Sequence, residues 1–252
     1  MTEKIQETEI KKTRLRLSER LKLVASFVPE GSRIADIGTD HGYVPIYLAE
    51  IGKIKSALAM DVRKGPLARA DEHIEEYRHD VGDAAISIET RLSNGLEKLQ
   101  AKEADTVIIA GMGGELMLRI LRDGAHMYDS VKHYVLSPQS ELSAFRHGLE
   151  KLGISILEEQ MLMDEGKYYV ILHAAPGSMH YEQEYEYRYG SDLIQKQDPV
   201  LREFLERELA QGEELLAHLS LTQTEGAQKR AESLRQELNE TKEAYHALQG
   251  TD

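Results

Sequence analysis

The 252 residues carry a net charge of −13, with 41% hydrophobic residues, 30% charged residues and no cysteine. The missing cysteines exclude disulfides, thiolate metal sites and cysteine nucleophiles, and the acidic total disfavours broad capture of nucleic acid, which relies on Lys and Arg against phosphates. No stretch approaches the roughly 18 apolar residues of a membrane span, and the charged start MTEKIQETEIKK lacks the apolar centre of a signal peptide, so a cytoplasmic protein with no membrane contact is expected.

A local basic run opens the chain: Lys11, Lys12, Arg14, Arg16, Arg20 and Lys22, interrupted by Glu19. It reads either as an RNA contact or as a solvated helix face. Ser18 is placed to cap a short helix with Leu21, Val24, Ala25 and Val28 on its apolar face. Arg33 to Ile37 then forms a first strand and Tyr43 to Ile51 a helix. Ser56 to Asp61 is a second strand, followed by a helix from Pro66 to Arg78 with proline in its first turn. Ala85 to Glu89 is a third strand, Thr106 to Ala110 a fourth, and a helix starts near Glu115. Tyr134 to Leu136 is the fifth strand, and Leu142 to Leu152 its helix. Ile154 to Met163 and Tyr168 to His173, split by Asp164-Glu-Gly166, predict a closing antiparallel hairpin. Short apolar runs alternating with helical patterns imply an α/β fold with a mostly parallel, Rossmann-like sheet.

Past Pro176 the pattern changes. Leu193, Val200, Leu201, Phe204, Leu205, Leu209, Leu215, Leu216 and Leu219 recur at three- and four-residue steps. After a polar break at 222–226, Leu234, Leu238, Tyr245 and Leu248 continue them. Two helices joined by a short break fold back as an antiparallel pair. The expected division is therefore 1–176 for a ligand-binding α/β domain and 177–252 for a helical, coiled-coil hairpin. The second segment holds 8 Lys and Arg against 16 Asp and Glu, so the acidity concentrates there. A monomer is the default expectation.

The segment Asp36-Ile-Gly-Thr-Asp-His-Gly42 follows the first strand and opens a helix. Gly38 permits a sharp turn and Gly42 a close approach, and exposed N–H groups at such a turn suit a polar cofactor. Asp61 ends the second strand, nineteen residues beyond Gly42, with Val62 beside it. That is where a carboxylate accepts hydrogen bonds from a ribose diol, although a solvent-facing strand end would look the same. The spacing is not that of a dinucleotide site: Asp40 stands where the middle glycine would be. A carboxylate repels a pyrophosphate and attracts a sulfonium or an ammonium, and Asp36 adds a second negative charge. The balance shifts from NAD toward S-adenosylmethionine. Two further loops lie beyond strand ends: Ser93-Asn-Gly95, and Gly111-Met-Gly-Gly114, whose lack of bulk suits a flat base. Thr39 and His41 complete the turn. No metal site is expected.

Thr39-Asp-His-Gly42, Asn94-Gly95, Gly111-Met-Gly-Gly114 and Leu17-Ser-x-Arg-Leu21 together resemble the bacterial tRNA adenine-N1 methyltransferases that modify adenine 22 in the D-arm. The likeness covers nearly the whole chain, including the C-terminal hairpin. It implies a class I methyltransferase sheet of seven strands with the last hairpin antiparallel, S-adenosylmethionine as donor, and 1-methyladenosine in tRNA as product. It carries cofactor contacts onto Asp36, Gly38, Thr39, Asp40, His41, Gly42, Asp61, Val62, Asn94, Gly95, Gly111, Met112, Gly113 and Gly114. Ser137-Pro-Gln139 matches the family only in part, and no catalytic role is carried onto it. Asp40 is the candidate to face the reacting base. Lys11, Lys12, Arg14, Arg16 and Arg20, then Arg63, Lys64 and Arg69, are the candidate tRNA contacts. The alternatives are a methyltransferase for another RNA, a protein or a small molecule, and a non-catalytic adaptor displaying a coiled-coil arm.

Overall fold

A computed structural model describes residues 15–222 and 224–250, so Lys11, Lys12 and Arg14 lie outside the described residues. The Ser18 side chain accepts the Leu21 amide at 3.3 Å and caps α1 (Glu19–Ser26), which buries Val24 and Ala25. Then follow β1 (Ser32–Ile37), α2 (Tyr43–Glu50), β2 (Ile54–Asp61), α3 (Lys64–Val81), β3 (Ser87–Leu92), β4 (Thr106–Met112), α4 (Gly114–Asp123), β5 (His133–Pro138), α5 (Leu142–Lys151), β6 (Ile154–Asp164) and β7 (Lys167–Pro176). Four helices finish the chain: α6 (Glu184–Tyr189), α7 (Ser191–Gln195), α8 (Pro199–Ser220) and α9 (Glu225–Gln249).

The seven strands form one sheet in the order β3-β2-β1-β4-β5-β7-β6. β1 runs parallel to both β2 and β4, and β6 and β7 are antiparallel. Sequence order reverses on either side of β1, so the loop leaving β1 is the switch point at which an open α/β sheet offers a crevice. As a central strand β1 is buried on both faces: Ile34, Ala35 and Ile37 are each at most 3% exposed. Most predicted elements are found within a few residues. The third strand is the exception, shifted to Ser87–Leu92. A 3-10 turn occupies Gly82–Ala84, and the Ile86 amide donates to the Tyr77 hydroxyl (2.9 Å) instead of to a neighbouring strand.

The chain divides into two compact units, Met1–Ala110 with Asp123–Val135, and Gly111–Arg122 with Leu136–Asp252. Within the second, Glu165 and Gly166 take positive φ (50° and 77°) and turn β6 into β7. α8 and α9 lie against each other as the expected hairpin, with Leu201, Leu205, Leu234, Leu238 and Leu248 buried, whereas Leu215 is exposed. The tyrosine-rich stretch before it forms α6, which the leucine pattern did not announce, and Leu193, the first residue of that pattern, lies in the separate short helix α7.

One buried ion pair joins these elements. Arg146 on α5 donates from Nε to Glu159 Oε1 of β6 at 2.7 Å, with both side chains at most 1% exposed. Its Nη1 donates to the carbonyls of Tyr187 (2.9 Å) and Arg188 (3.2 Å) on α6. The Glu159 amide donates to Asp192 Oδ2 on α7 (2.7 Å), and Lys196 Nζ donates to the Glu159 carbonyl. Gly190, at φ 98°, passes so close that a Cβ there would fall onto the Glu159 carboxylate. Removing one member of such a pair strands a charge in the interior, at about 3–5 kcal/mol. Arg146→Ala is therefore expected to lower unfolding free energy by that amount in chemical denaturation, and the double change Arg146→Met with Glu159→Leu to recover most of it. An Arg146→Ala protein as stable as the parent would contradict this account.

Candidate functional site

In the first unit three neighbouring strand tips converge. Asp36, next to last in β1, is 7% exposed, and Asp61, last in β2, is 6% exposed. β1 and β2 are in register with Ile37 opposite Met60, and β2 and β3 with Asp61 opposite Leu92. Beyond β1 the backbone takes positive φ at Gly38 (74°), His41 (58°) and Gly42 (71°). At Gly42 two demands coincide: the left-handed conformation, and a Cβ position only 3.4 Å from the Ala70 Cβ on α3. The N–H groups of Gly38 and Thr39, however, donate to the Met60 carbonyl at 2.7 and 3.0 Å. The turn is thus held by β2, and these two amides are not offered to a ligand as the sequence suggested.

Asp36 has a carboxyl pushed up to about 6. Burial is the main cause, the Thr39 hydroxyl offsets it in part, and the charges of Asp40 and Asp61 raise it further. None of the ion pairs among the described residues involves Asp36. Asp61 accepts the Arg63 amide at 2.7 Å and lies 3.4 Å from Arg63 Nε, both through Oδ1. Its carbonyl accepts the Ser93 amide at 3.0 Å, which ties the ends of β2 and β3 together. Ser93 Oγ in turn donates to the Gly95 carbonyl (3.0 Å) and accepts the Lys98 amide (3.2 Å), so the Asn94-Gly95 turn is rigidly anchored. Asn94 Nδ2 donates to Glu97 (2.7 Å). Val62 is 62% exposed beside the buried Asp61, an aliphatic face next to an acceptor. Such a cluster suits a ligand carrying hydroxyls, a flat apolar group and positive charge.

Asp40 differs from the sequence picture. Its side chain is 84% exposed and has His41 Nε2 at 3.4 Å; it does not join the buried acids. His41, Tyr43 and His73 form a group of rings with centroids 5.1–5.5 Å apart and planes within 22° of one another. His73 Nδ1 donates to the His41 carbonyl at 2.9 Å, and Arg69 Nη1 lies 3.4 Å from His41 Nε2. Tyr43 and His73 were missed from sequence, since residues thirty apart on two helices share no local pattern. Arg63, Lys64 and Arg69 are exposed around the start of α3, whose first turn has no acidic residue. Arg16 lines a cavity of about 840 Å³ together with Tyr43 and His73. Arg20 lies on α1, half-buried.

In the second unit, Gly111 and Met112 belong to the end of β4 and Gly114 starts α4, so only Gly113 lies between elements. The Met112 carbonyl accepts the Gln139 amide (2.9 Å), and the Gly114 amide donates to the Ser140 carbonyl (3.3 Å). A Cβ on Gly114 would stand 2.7 Å from that carbonyl. Glu141, at φ 60°, accepts the Glu115 amide through Oε2 at 3.2 Å. The missing side chains thus serve close packing against the loop after β5, a reason not visible in the glycine spacing. Among the described residues no group of three or more acidic or histidine side chains is arranged to hold a metal, and no helix is long and apolar enough to cross a membrane.

Comparison with known proteins gives consistent matches. A methyltransferase-domain family matches residues 17–172. The tRNA (adenine(22)-N(1))-methyltransferase of Bacillus subtilis is 34% identical over 163 residues, 65% of this chain and 66% of that protein, just under two thirds of its length. Sp1610 of Streptococcus pneumoniae, assigned as a tRNA (m1A22) methyltransferase and solved with S-adenosyl-L-methionine, is 33% identical. The match covers 92% of this chain and all of that one, with TM-score 0.80. TrmK of M. capricolum, solved with S-adenosylhomocysteine, is 27% identical over 92% of this chain and 99% of its own, with TM-score 0.76. The chain belongs to the methyltransferase-domain family and, within it, to the tRNA (adenine-22-N1)-methyltransferases.

Proposed function

We propose that the protein transfers a methyl group from S-adenosylmethionine to N1 of adenine 22 in the D-arm of tRNA. The observation that carries this reading is the buried Asp36 carboxyl beside the buried Asp61, with the exposed Asp40 adding to the negative field and no ion-pair partner at Asp36 among the described residues. It fits a cofactor with a sulfonium and an ammonium, and it would repel a pyrophosphate. When bound, S-adenosylmethionine supplies the electrophilic methyl group. Asp36 would face its positive charge, Asp61 would accept from its ribose hydroxyls through Oδ2, and Val62 with Asn94 and Gly95 would border the adenine. Gly38, Thr39, His41 and Gly42 shape the turn. By the resemblance noted from sequence, Gly111, Met112, Gly113 and Gly114 are further candidate cofactor contacts.

Adenine N1 holds its lone pair in the ring plane, so no side chain must first remove a proton. What remains for the chain is alignment and offsetting the positive charge left on the base. N1 lies on the pairing edge, so the base must be unpaired first. Asp40, exposed and acidic, is our candidate to meet that charge. Residues 1–176 are assigned the transfer chemistry and 177–252 the helical arm. Lys11, Lys12, Arg14, Arg16, Arg20, Arg63, Lys64 and Arg69 are assigned to tRNA phosphates.

Incubation with unmodified tRNA and labelled donor, followed by nucleoside mapping, is expected to yield 1-methyladenosine at position 22; label elsewhere or nowhere would overturn the assignment. Asp40→Ala should slow single turnover on the order of tenfold, about 1.4 kcal/mol, with cofactor affinity kept; an unchanged rate removes Asp40 from the chemistry. A cation beside Asp36 favours its ionised form and lowers its pKa below the value of about 6 in the free protein. Cofactor affinity is therefore full above that value and falls as pH drops through it. Calorimetry with Asp36→Asn should show weaker binding at pH 8 and a flatter profile below 7. A profile identical to the parent's would exclude Asp36 as the titrating group.

A further inference from the structure

We propose that His41, Tyr43 and His73 form a stacking platform for an unpaired nucleobase of the RNA substrate. The inference rests on the tRNA reading above and adds to it a binding surface at the outer edge of the cofactor turn, of which His41 is part. Three rings with mutual centroid distances of 5.1, 5.5 and 5.2 Å and interplanar angles of 13°, 22° and 19° cannot form one column. Near-parallel and mutually offset, they form a stepped aromatic surface, and all three residues remain half-buried. A packed core would hide such rings; these keep an open side.

The platform is held in place. His41 sits at φ 58° in the turn after β1, a conformation that non-glycine residues keep only where the surrounding structure holds them in it. Its carbonyl accepts His73 Nδ1 at 2.9 Å, which locks α3 to that turn. Tyr43 is the first residue of α2.

Charge around the rings selects the occupant. In a chain of net charge −13, the side chains at the start of α3 are Arg63, Lys64 and Arg69, with no acid in its first turn. Arg69 touches the His41 ring at 3.4 Å, and Arg16 borders the cavity that Tyr43 and His73 line. The same cavity also carries Glu50, Glu75, Glu76 and Asp80, so the side of the rings suited to a phosphate is the one at His41, where Arg69 lies. Rings beside cations match single-stranded RNA, whose bases stack on aromatic side chains while the backbone follows positive charge. A wholly apolar partner would gain nothing from the guanidinium groups.

The test measures tRNA binding, single-turnover methylation and S-adenosylhomocysteine binding for Tyr43→Ala, His73→Ala, Tyr43→Phe and His73→Phe. Wild-type protein that neither binds nor methylates tRNA would sink the functional reading itself, before any variant is compared. Given an active parent, each alanine variant should weaken tRNA binding by about five- to a hundredfold, the range for losing one stacked base, with product-analogue binding within twofold of the parent. The phenylalanine variants, which keep the ring, should bind tRNA nearly as the parent does. His73→Phe as impaired as His73→Ala would assign the effect to the hydrogen bond with His41 and overturn the platform. So would unaltered tRNA affinity in the alanine variants, or a loss confined to S-adenosylhomocysteine.

Discussion

A carboxylate buried at the end of the central strand is the constraint around which the first unit is organised. Asp36 lies between β2 and β4 in the sheet, has the Thr39 hydroxyl beside its carboxyl, and has two other acids near it. Its pKa is displaced from 3.8 to about 6, and a displacement of that size costs the free protein about 3 kcal/mol at neutral pH. In linkage terms the folded form binds the proton more tightly than the unfolded chain, so this group stabilises the fold most in acid and progressively less as pH rises from about 4 to 6. A site that keeps such a group is poised for a ligand that repays the cost, and a cation does so.

The rest of the first unit protects that arrangement. The Met60 carbonyl takes the first two amides of the turn, the Asp61 carbonyl takes the Ser93 amide, and Ser93 in turn braces Gly95. Each strand tip is therefore fixed by its neighbour, which makes the positions of Asp36, Asp61 and Asn94 mutually dependent. The ring group extends the same logic outward, because the His41 carbonyl is held by His73 on α3.

The second unit is organised by a different buried charge. Arg146 and Glu159 sit where α5, β6, α6 and α7 meet: Arg146 donates to backbone carbonyls on α6, and the Glu159 amide donates to the Asp192 carboxylate on α7. A pair of this kind adds little net stability over apolar residues but penalises any other packing. Its use here is positional, since α6 and α7 lead directly into the long helices α8 and α9.

Much of this was readable in the chain itself. Alternating apolar runs, the Ser18 cap and the paired leucine patterns specify the strands, the first helix and the hairpin, because each depends on contacts within a few residues. The end of the first apolar run located Asp36, and the spacing from Gly42 located Asp61 at the tip of the next strand, since successive strands of this fold are neighbours. Other features depended on residues far apart in sequence. The raised pKa of Asp36 needs burial in the folded sheet, where β1 lies between β2 and β4, and the solvent-facing position of Asp40 depends on how the turn closes. The glycines of 111–114 are required by the loop after β5, and Tyr43 meets His73 only because α2 and α3 pack side by side. Local propensity sets where elements begin and end; the energies of buried charges and ring contacts are set by neighbours that only the folded chain brings together.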